Sequence, residues 1–234
     1  MPRLPDLTQR KDLIAHCQRM NALGINQGTS GNISLRNKRG FLISASGVPY
    51  DAMEPAHAVQ MDLDGGYTGA VLPSSEWRMH LDIYRSRPEA SAVVHTHSPH
   101  ATALACLRED VPAFHYMIGV TGGASLRCSA YASFGTEALS EAMLVALEDR
   151  RACLLGNHGM ICFHDTLPKA LALAVEVEAL CQQYAIARQT GEPVILSDAE
   201  MTDILKRFGA YGKQPDELED GQVVAFEPPL RRDA

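Results

Sequence analysis

The sequence predicts a single domain in which helices and strands are interleaved, of the α/β or α+β class. Amphipathic stretches of helical length alternate with short apolar runs of strand length along most of the chain. The chain has 234 residues, which is enough for one large domain with a substantial core. No internal repeat or composition shift separates one part of the sequence from another. We therefore expect one domain rather than two.

Helices are predicted where apolar residues recur at helical spacing behind a capping residue. Thr136 and Thr166 are typical N-caps, and Ser197 with Glu200 forms the pattern of a capping box. Gly191 follows one of these stretches and is a typical helix stop. The predicted helices cover residues 7–23, about 76–85, 99–107, 137–149, 167–189 and 198–208.

Strands are predicted where short apolar runs are bounded by turn residues. One run leads into His95-Thr96-His97, and a strand–turn–strand pattern surrounds residues 156–159. Residues 209–234 carry Gly, Pro and mixed charge, which is typical of a tail. We place the domain at residues 1–213 and the tail at 214–234. The predicted strands cover residues 33–36, 41–43, 59–63, 92–97, 152–155 and 160–163, with further strands and loops in 110–134.

The composition argues against several classes of partner. The net charge is −7 and the nearest to a basic run, Arg36-Asn37-Lys38-Arg39, is typical of a solvated turn, so we expect no nucleic-acid binding. We see no apolar run of membrane-spanning length and no apolar signal-peptide core near Met1, so we expect no membrane partner and a cytoplasmic location. None of the six cysteines forms a CxxC pair, which favours reduced thiols over a cysteine metal site or a disulfide framework.

Three histidines are the candidate metal ligands. Because side chains alternate along a strand, His95 and His97 lie on one face, roughly 7 Å apart. That spacing allows both imidazoles to bind one metal ion, although two ordinary hydrogen-bonded histidines would fit it equally well. His158, at the predicted hairpin tip, is a third candidate. A three-histidine set would leave a coordination position open for substrate.

Three small polar segments could bind a phosphate group. They are residues 28–32, 44–47 and 73–75, each at a strand end or a helix start. Exposed backbone N–H groups, short hydroxyls and a helix N-terminus can hold a phosphate without Lys or Arg. The simpler interpretation is that these residues only make turns and caps. None of the segments matches a P-loop or a dinucleotide-binding fingerprint.

Glu76, which directly follows the third polar segment, is the candidate carboxylate of the site. With Ser74 or Ser75 as the N-cap, Glu76 falls in the first turn of its helix. It could be a fourth metal ligand or a base, or an ordinary carboxylate that the helix dipole favours there. His80 lies on the same helix face and is interpreted as structural.

Five motifs together resemble the class II aldolase and sugar-phosphate epimerase family. The resemblance runs from about residue 8 to about residue 213. It implies a central, largely antiparallel sheet flanked by helices. The motifs, in chain order, are Gly28-Thr29-Ser30-Gly31-Asn32-Ile33-Ser34, Ser44-Ala45-Ser46-Gly47, Pro73-Ser74-Ser75-Glu76, His95-Thr96-His97-Ser98 and Asn157-His158-Gly159.

The resemblance also implies roles for individual residues. His95, His97 and His158 would hold one zinc ion per subunit, with Mn²⁺ or Co²⁺ as alternatives. Glu76 would be a ligand in the empty site and the catalytic base. Tyr116 would reach the active site of a neighbouring subunit in a homotetramer. The phosphate would lie on Gly31, Asn32, Ser46, Gly47, Ser74 and Ser75, and the aldehyde end of the substrate on Phe134 and Tyr211.

The implied activity is cleavage of a deoxy-ketose 1-phosphate, such as L-fuculose 1-phosphate, to dihydroxyacetone phosphate and an aldehyde such as L-lactaldehyde. A close alternative substrate is 5-deoxyribulose or 5-methylthioribulose 1-phosphate in a salvage route. An L-ribulose-5-phosphate 4-epimerase and a methylthioribulose-1-phosphate dehydratase are further alternatives. The same fold also serves as a non-catalytic module that lacks the metal ligands, whereas here Glu76 and all three histidines are present.

Overall fold

The computed structural model of the protein describes residues 4–210. Tyr211 and the predicted tail at 214–234 lie outside the described residues. Three short 3-10 helices lie in loops, at Tyr50–Ala52, Pro55–His57 and Tyr116–Thr121. The α-helices are α1 (Leu7–Ala22), α2 (Trp77–Ser86), α3 (Pro99–Ala105), α4 (Glu137–Ala146), α5 (Leu167–Thr190) and α6 (Asp198–Ala210).

An eight-stranded sheet forms the centre of the domain. Its strand order is β4-β3-β2-β1-β5-β10-β9-β8, and a separate ribbon pairs β6 with β7. Every pairing in the large sheet is antiparallel except the parallel pair β8–β9. The strands are β1 (Asn32–Asn37), β2 (Gly40–Ser44), β3 (Ala58–Met61), β4 (Tyr67–Thr68), β5 (Ala92–Thr96), β6 (Val111–Pro112), β7 (Ser125–Leu126), β8 (Cys128–Ser129), β9 (Ala152–Leu155) and β10 (Gly159–His164).

Helices cover both faces of this sheet. One apolar core lies between the sheet and helices α1, α3 and α5. A second core lies between the opposite face and helices α2 and α4. Neighbouring residues of β5 divide between the two cores: Val94 belongs to the first and Val93 to the second. The predicted fold class, a largely antiparallel sheet flanked by helices, is confirmed.

Helix α5 corrects one expectation from the sequence. Its 24 residues are long and apolar enough, by length and composition, to cross a membrane, whereas we expected no run of that kind. In the structure one side of α5 is buried against β5, β10 and α3, with Leu173, Val177 and Leu180 in the first core. Its apolar character therefore serves the packing of the core.

Candidate active site

His95 and His97 lie at the end of the central strand β5. The neighbouring strands β1 and β10 pair with β5 so that Asn32 and Ile161 both lie opposite His95. Ser98 and Pro99 follow at once and begin α3. The N-terminus of α3 is capped by Glu178 of α5, which accepts the backbone N–H groups of His100 and Ala101 at 2.9 Å. Strands β1 and β10 therefore flank the end of β5, and α5 fixes the start of the helix that follows it.

The turn between β9 and β10 brings His158 to the same place. Asn157 has a left-handed backbone with φ of 52°. Its N–H donates to the Ala105 carbonyl at 3.0 Å, and its Oδ1 accepts from Arg108 Nε at 2.5 Å. At Gly159 an added Cβ would lie 2.4 Å from the Thr96 carbonyl oxygen, so only glycine allows the turn to approach β5 this closely. The hairpin tip is therefore fixed against the first two histidines.

Glu76 and the three histidines converge on one point. Each offers one ligand atom, and these atoms lie within 4.8 Å of one another. His95 Nε2 is 3.0 Å from Glu76 Oε2, and His158 Nε2 is 2.9 Å from Glu76 Oε1. His97 Nε2 lies 3.1 Å from His95 Nε2. The three rings stand nearly perpendicular to one another, with interplanar angles of 76–79°.

This donor set fits a divalent metal ion. The Nδ1 of His95 donates to the Met160 carbonyl at 2.8 Å, so Nε2, once it has lost its proton, would offer its lone pair to an ion at the centre of the cluster. Three imidazoles and a carboxylate suit zinc and several other divalent ions. Two imidazole nitrogens at 3.1 Å also make poor neighbours for one another unless a proton or a cation lies between them.

The pKa shifts in the cluster favour an ionised carboxylate at Glu76 and a neutral imidazole at His97. Burial alone would raise the pKa of Glu76, but the charge of His95 and the hydrogen bonds from His158 and His95 outweigh it and hold that pKa far below its usual range. Burial and the neighbouring His95 and His158 lower the pKa of His97 to about 4. Burial would lower the pKa of His95 as well, but the Glu76 carboxylate raises it overall. Glu76 is therefore ionised and His97 neutral at neutral pH.

We predicted from the sequence that Glu76 would lie in the first turn of α2, but it lies one residue before the helix. The helix begins at Trp77, and Glu76 itself occupies the N-cap position without capping the helix through its side chain. The Ser74 hydroxyl accepts the Glu76 backbone N–H at 3.3 Å. The carboxylate is directed to the histidines instead, because their charge and hydrogen bonds are stronger partners than a helix end.

A cleft of about 470 Å³ opens above the cluster. Two of the predicted phosphate-binding segments meet there: Ser46 N–H donates to the Leu72 carbonyl, and Ser74 N–H to the Ser44 carbonyl. Gly47, with φ of 70°, completes one of these loops. None of the described residues that line the cleft is Lys or Arg. The lining residues are Thr29, Ser30, Ser46, Gly47, Ser75, Glu76, His97, Tyr131, Ala132, Phe134, Asn157 and His158.

Three of the predicted phosphate-binding residues lie behind the cleft wall. Gly31, Asn32 and Ser74 are buried and do not line the cleft. The Gly31 N–H donates to the Asn26 side chain at 2.9 Å. The Asn32 amide donates to Glu76 Oε2 at 3.0 Å, so its side chain binds the carboxylate and does not face the cleft in this structure.

Two further residues predicted for the site, Phe134 and Tyr116, lie in different places. Phe134 lines the cleft and is 72% exposed, in agreement with a place at its rim. Tyr116 is 49% exposed and does not line the cleft of its own chain. It stacks on Phe208 of α6, with ring centroids 6.4 Å apart. Its segment, Tyr116–Thr121, is joined to Arg151, whose N–H donates to the Thr121 carbonyl. Arg151 directly precedes β9, whereas His158 follows the other end of that strand.

Five lining residues were given no individual role from the sequence: Thr29, Ser30, Tyr131, Ala132 and Asn157. Thr29 and Ser30 lie inside a recognised motif, and their hydroxyls are a signal that could have placed them. Asn157 directly precedes His158, and a left-handed turn residue of this kind is often Asn. Tyr131 gave no sequence signal, because only the tertiary structure brings its loop to the cleft.

The fold and the cluster are typical of a metal-dependent enzyme. Residues 11–185 match the model of the family described as class II aldolase and adducin N-terminal domain. The chain therefore belongs to the class II aldolase family, and it is an aldehyde-lyase of carbohydrate metabolism.

Two groups of relatives are similar to nearly the whole chain. The L-fuculose phosphate aldolase of Escherichia coli (strain K12) is 46% identical over 208 residues, which cover 88% of this chain and 97% of the relative. The 5-methylthioribulose-1-phosphate/5-deoxyribulose-1-phosphate aldolase of Rhodospirillum rubrum is 48% identical over 203 residues, with 87% and 92% covered. Among solved structures, an L-fuculose 1-phosphate aldolase matches with a TM-score of 0.84 and 38% identity, covering 88% of this chain and 98% of that one.

Proposed function

We propose that this protein is a zinc-dependent aldolase that cleaves L-fuculose 1-phosphate, or a related deoxy-ketose 1-phosphate, to dihydroxyacetone phosphate and an aldehyde. With L-fuculose 1-phosphate the aldehyde is L-lactaldehyde. The observation that carries the proposal is the convergence of Glu76 with His95, His97 and His158 beneath a cleft whose lining includes the hydroxyl-bearing residues Thr29, Ser30, Ser46 and Ser75. A non-catalytic module of this fold would have no need of that set.

The reaction breaks the C3–C4 bond of the ketose. The C4 hydroxyl loses its proton and becomes the aldehyde, while the bonding electrons pass to the dihydroxyacetone phosphate half as an enediolate, which then takes up a proton at C3. Glu76 carries the proton to and from C3, since its carboxylate lies at the floor of the cleft. Bound zinc would supply a Lewis acid that stabilises the negative charge on the enediolate oxygens.

The phosphate group is held at the end of the substrate that does not react. The family resemblance implies Gly31, Asn32, Ser46, Gly47, Ser74 and Ser75, and we assign the phosphate to the three of these that line the cleft. Ser46, Gly47 and Ser75 line the cleft, and α2 directs its N-terminus toward it. Anchoring this end makes the reaction effectively unimolecular.

A second substrate is supported by a specific observation. The Rhodospirillum rubrum relative, whose name gives 5-methylthioribulose 1-phosphate and 5-deoxyribulose 1-phosphate, is as similar to this chain as the fuculose phosphate aldolase. Both substrates share the dihydroxyacetone phosphate half and differ in the aldehyde half. Phe134 and Tyr131 line the cleft, and we assign Phe134 to the aldehyde end. Tyr211, assigned to the same end, lies outside the described residues.

A panel of phosphorylated ketoses tests the proposal. We expect release of dihydroxyacetone phosphate from at least one of L-fuculose, L-rhamnulose, 5-deoxyribulose and 5-methylthioribulose 1-phosphates. A chelator should abolish the release, and added zinc should restore it more effectively than Mn²⁺ or Co²⁺. L-ribulose 5-phosphate is the control for a 4-epimerase. No release from any substrate by the metal-loaded protein would contradict the proposal and favour the epimerase, the dehydratase or a non-catalytic module.

We further propose that the protein is a cytoplasmic homotetramer in which Tyr116 serves the active site of the neighbouring subunit. Its hydroxyl would exchange a proton with the C4 oxygen of the substrate. Tyr116 is half-exposed and does not line its own cleft, which supports action on another subunit. All six cysteines are free thiols, in keeping with a reducing compartment.

Mixed oligomers test the role of Tyr116 between subunits. Glu76→Gln and Tyr116→Phe chains alone are each expected to lose at least about 100-fold in activity. Doubly tagged oligomers that contain both chains should recover up to about a quarter of the wild-type activity, because random mixing joins an intact Glu76 to a neighbour's intact Tyr116 at one site in four. Light scattering should give the mass of four chains. Absence of recovery in such oligomers would place Tyr116 in its own subunit's reaction or outside the reaction.

A further inference from the structure

A buried chain of hydrogen bonds runs from Tyr84 to Glu76. Tyr84 Oη lies 2.7 Å from Ser34 Oγ, which lies 2.7 Å from His80 Nδ1. His80 Nε2 lies 2.5 Å from Asn32 Oδ1, and Asn32 Nδ2 lies 3.0 Å from Glu76 Oε2. None of the five residues is more than 4% exposed. Five polar side chains are thus joined in a buried chain that ends at Glu76 on the floor of the cleft.

Two elements of secondary structure build this chain. Glu76, His80 and Tyr84 are four residues apart, so they lie on one face of α2 and its N-cap. Asn32 and Ser34 are two residues apart on β1 and therefore point to the same side of the sheet. The two rows face one another, and their side chains alternate along the hydrogen-bonded chain.

The chemistry of the groups fixes the direction of every hydrogen bond. A carboxylate only accepts, so Asn32 must present its NH₂ group to Glu76 and its oxygen to His80. His80 Nε2 must then carry the proton, which leaves Nδ1 to accept from the Ser34 hydroxyl. Burial lowers the pKa of His80 to about 3 and raises the pKa of Tyr84, so the imidazole is neutral and the phenol remains a donor. Tyr84 therefore donates to Ser34.

We propose that His80, Ser34 and Tyr84 are positioning residues that lock the Asn32 amide as a hydrogen-bond donor to Glu76. If the amide turned over, its oxygen would face the carboxylate and its NH₂ group would face the His80 N–H. The lock holds Oε2 of Glu76 by a donor that carries no charge, while Oε1 remains directed at His158. The effect on catalysis rests on the proposed role of Glu76 as the proton carrier, but the orientation of the chain does not.

Nitrogen-15 NMR of histidine-labelled, metal-free protein tests the orientation directly. At neutral pH we expect the His80 ring to carry its proton on Nε2 and to have an unprotonated Nδ1. His80→Gln identifies the signals by removing them. A proton on Nδ1, or on both nitrogens, would overturn the proposal. This measurement holds whether or not any ketose phosphate is a substrate, so its failure is distinct from failure of the proposed function.

Kinetics of two His80 variants test the consequence for the reaction. His80→Leu removes the donor to Asn32 and should lower kcat by about 10–100-fold, with KM within about twofold and zinc near one per chain. His80→Gln keeps an N–H donor at that position and should recover most of kcat. A purely structural role would lower the melting temperature of both variants without a selective loss of kcat in His80→Leu. Equal kcat in His80→Leu and wild type, or no better activity in His80→Gln than in His80→Leu, would overturn the proposal.

Tyr84→Phe provides a milder test should His80→Leu fail to fold. It removes one oxygen from the far end of the chain, and we expect a fall in kcat of about threefold because the donors polarise one another. Tyr67→Phe is the matched control, since Tyr67 is exposed on β4 and should leave kcat unchanged. Equal kcat values for the two variants would contradict a connected chain.

Discussion

Replacement of His158 by alanine should remove the metal and nearly all of the activity. His158 is one of three imidazoles in the cluster and supplies the ligand from the β9–β10 turn. Without it the remaining ligands leave the ion more weakly bound and its charge less well placed. We expect the metal content to fall well below one per chain and kcat/KM to fall at least about 100-fold. Atomic emission and the dihydroxyacetone phosphate assay measure both quantities on one sample.

His164→Ala is the matched control for that experiment. His164 lies at the other end of β10, where it contacts Asp165 and Arg151 rather than the cluster. Its replacement should leave the metal content and kcat/KM near those of the wild type. A His158→Ala protein with full metal content and full activity would show that the cluster does not bind the catalytic ion.

Replacement of Glu76 by glutamine should abolish proton transfer while preserving the metal. Glutamine keeps the size of the side chain and can still accept from Asn32, but it cannot carry a proton. We expect a fall in kcat of about 10²–10⁴-fold. The three histidines should retain zinc near one per chain. In deuterated water the wild-type enzyme should exchange a C3 proton of dihydroxyacetone phosphate without aldehyde, and the variant should not, as measured by proton NMR.

Glu141→Gln controls for the loss of one negative charge. Glu141 is exposed on α4 and belongs to neither the cluster nor the cleft. The control should exchange the proton at the wild-type rate. Exchange at that rate by Glu76→Gln would assign the base to another group and leave Glu76 as a metal ligand only.

The fold followed from patterns that are local in sequence. Capping residues and apolar periodicity predicted α1 and α3 to α6 within a few residues, because caps and amphipathic faces act within one or two turns. Helix α2 begins one residue later than predicted, with Glu76 at the N-cap and its carboxylate directed to the histidine cluster. The expectation of no apolar run of membrane-spanning length was wrong for α5, whose length and composition can be read from the sequence, whereas its packing on the sheet is seen only in the structure.

The candidate ligands were also visible in the sequence. The spacing of His95 and His97 placed both on one strand face, and the turn pattern placed His158 at a hairpin tip. That these three and Glu76 share one centre depends on the pairing of β5 with β10, which joins residues more than 60 positions apart. Local periodicity contains no information about such a pairing.

The sequence by itself therefore determined the fold class, the helices and the ligand types, since each depends on side chains a few residues apart. Only the tertiary structure decided which of the polar loop residues face the cleft and which lie behind it. Asn32 shows the reason: its neighbours in sequence predict a phosphate ligand, but β1 packs on α2 and directs its amide to Glu76 and His80. The partners of a buried polar side chain are chosen by the element that packs against it, and that element lies 44 residues away along the chain.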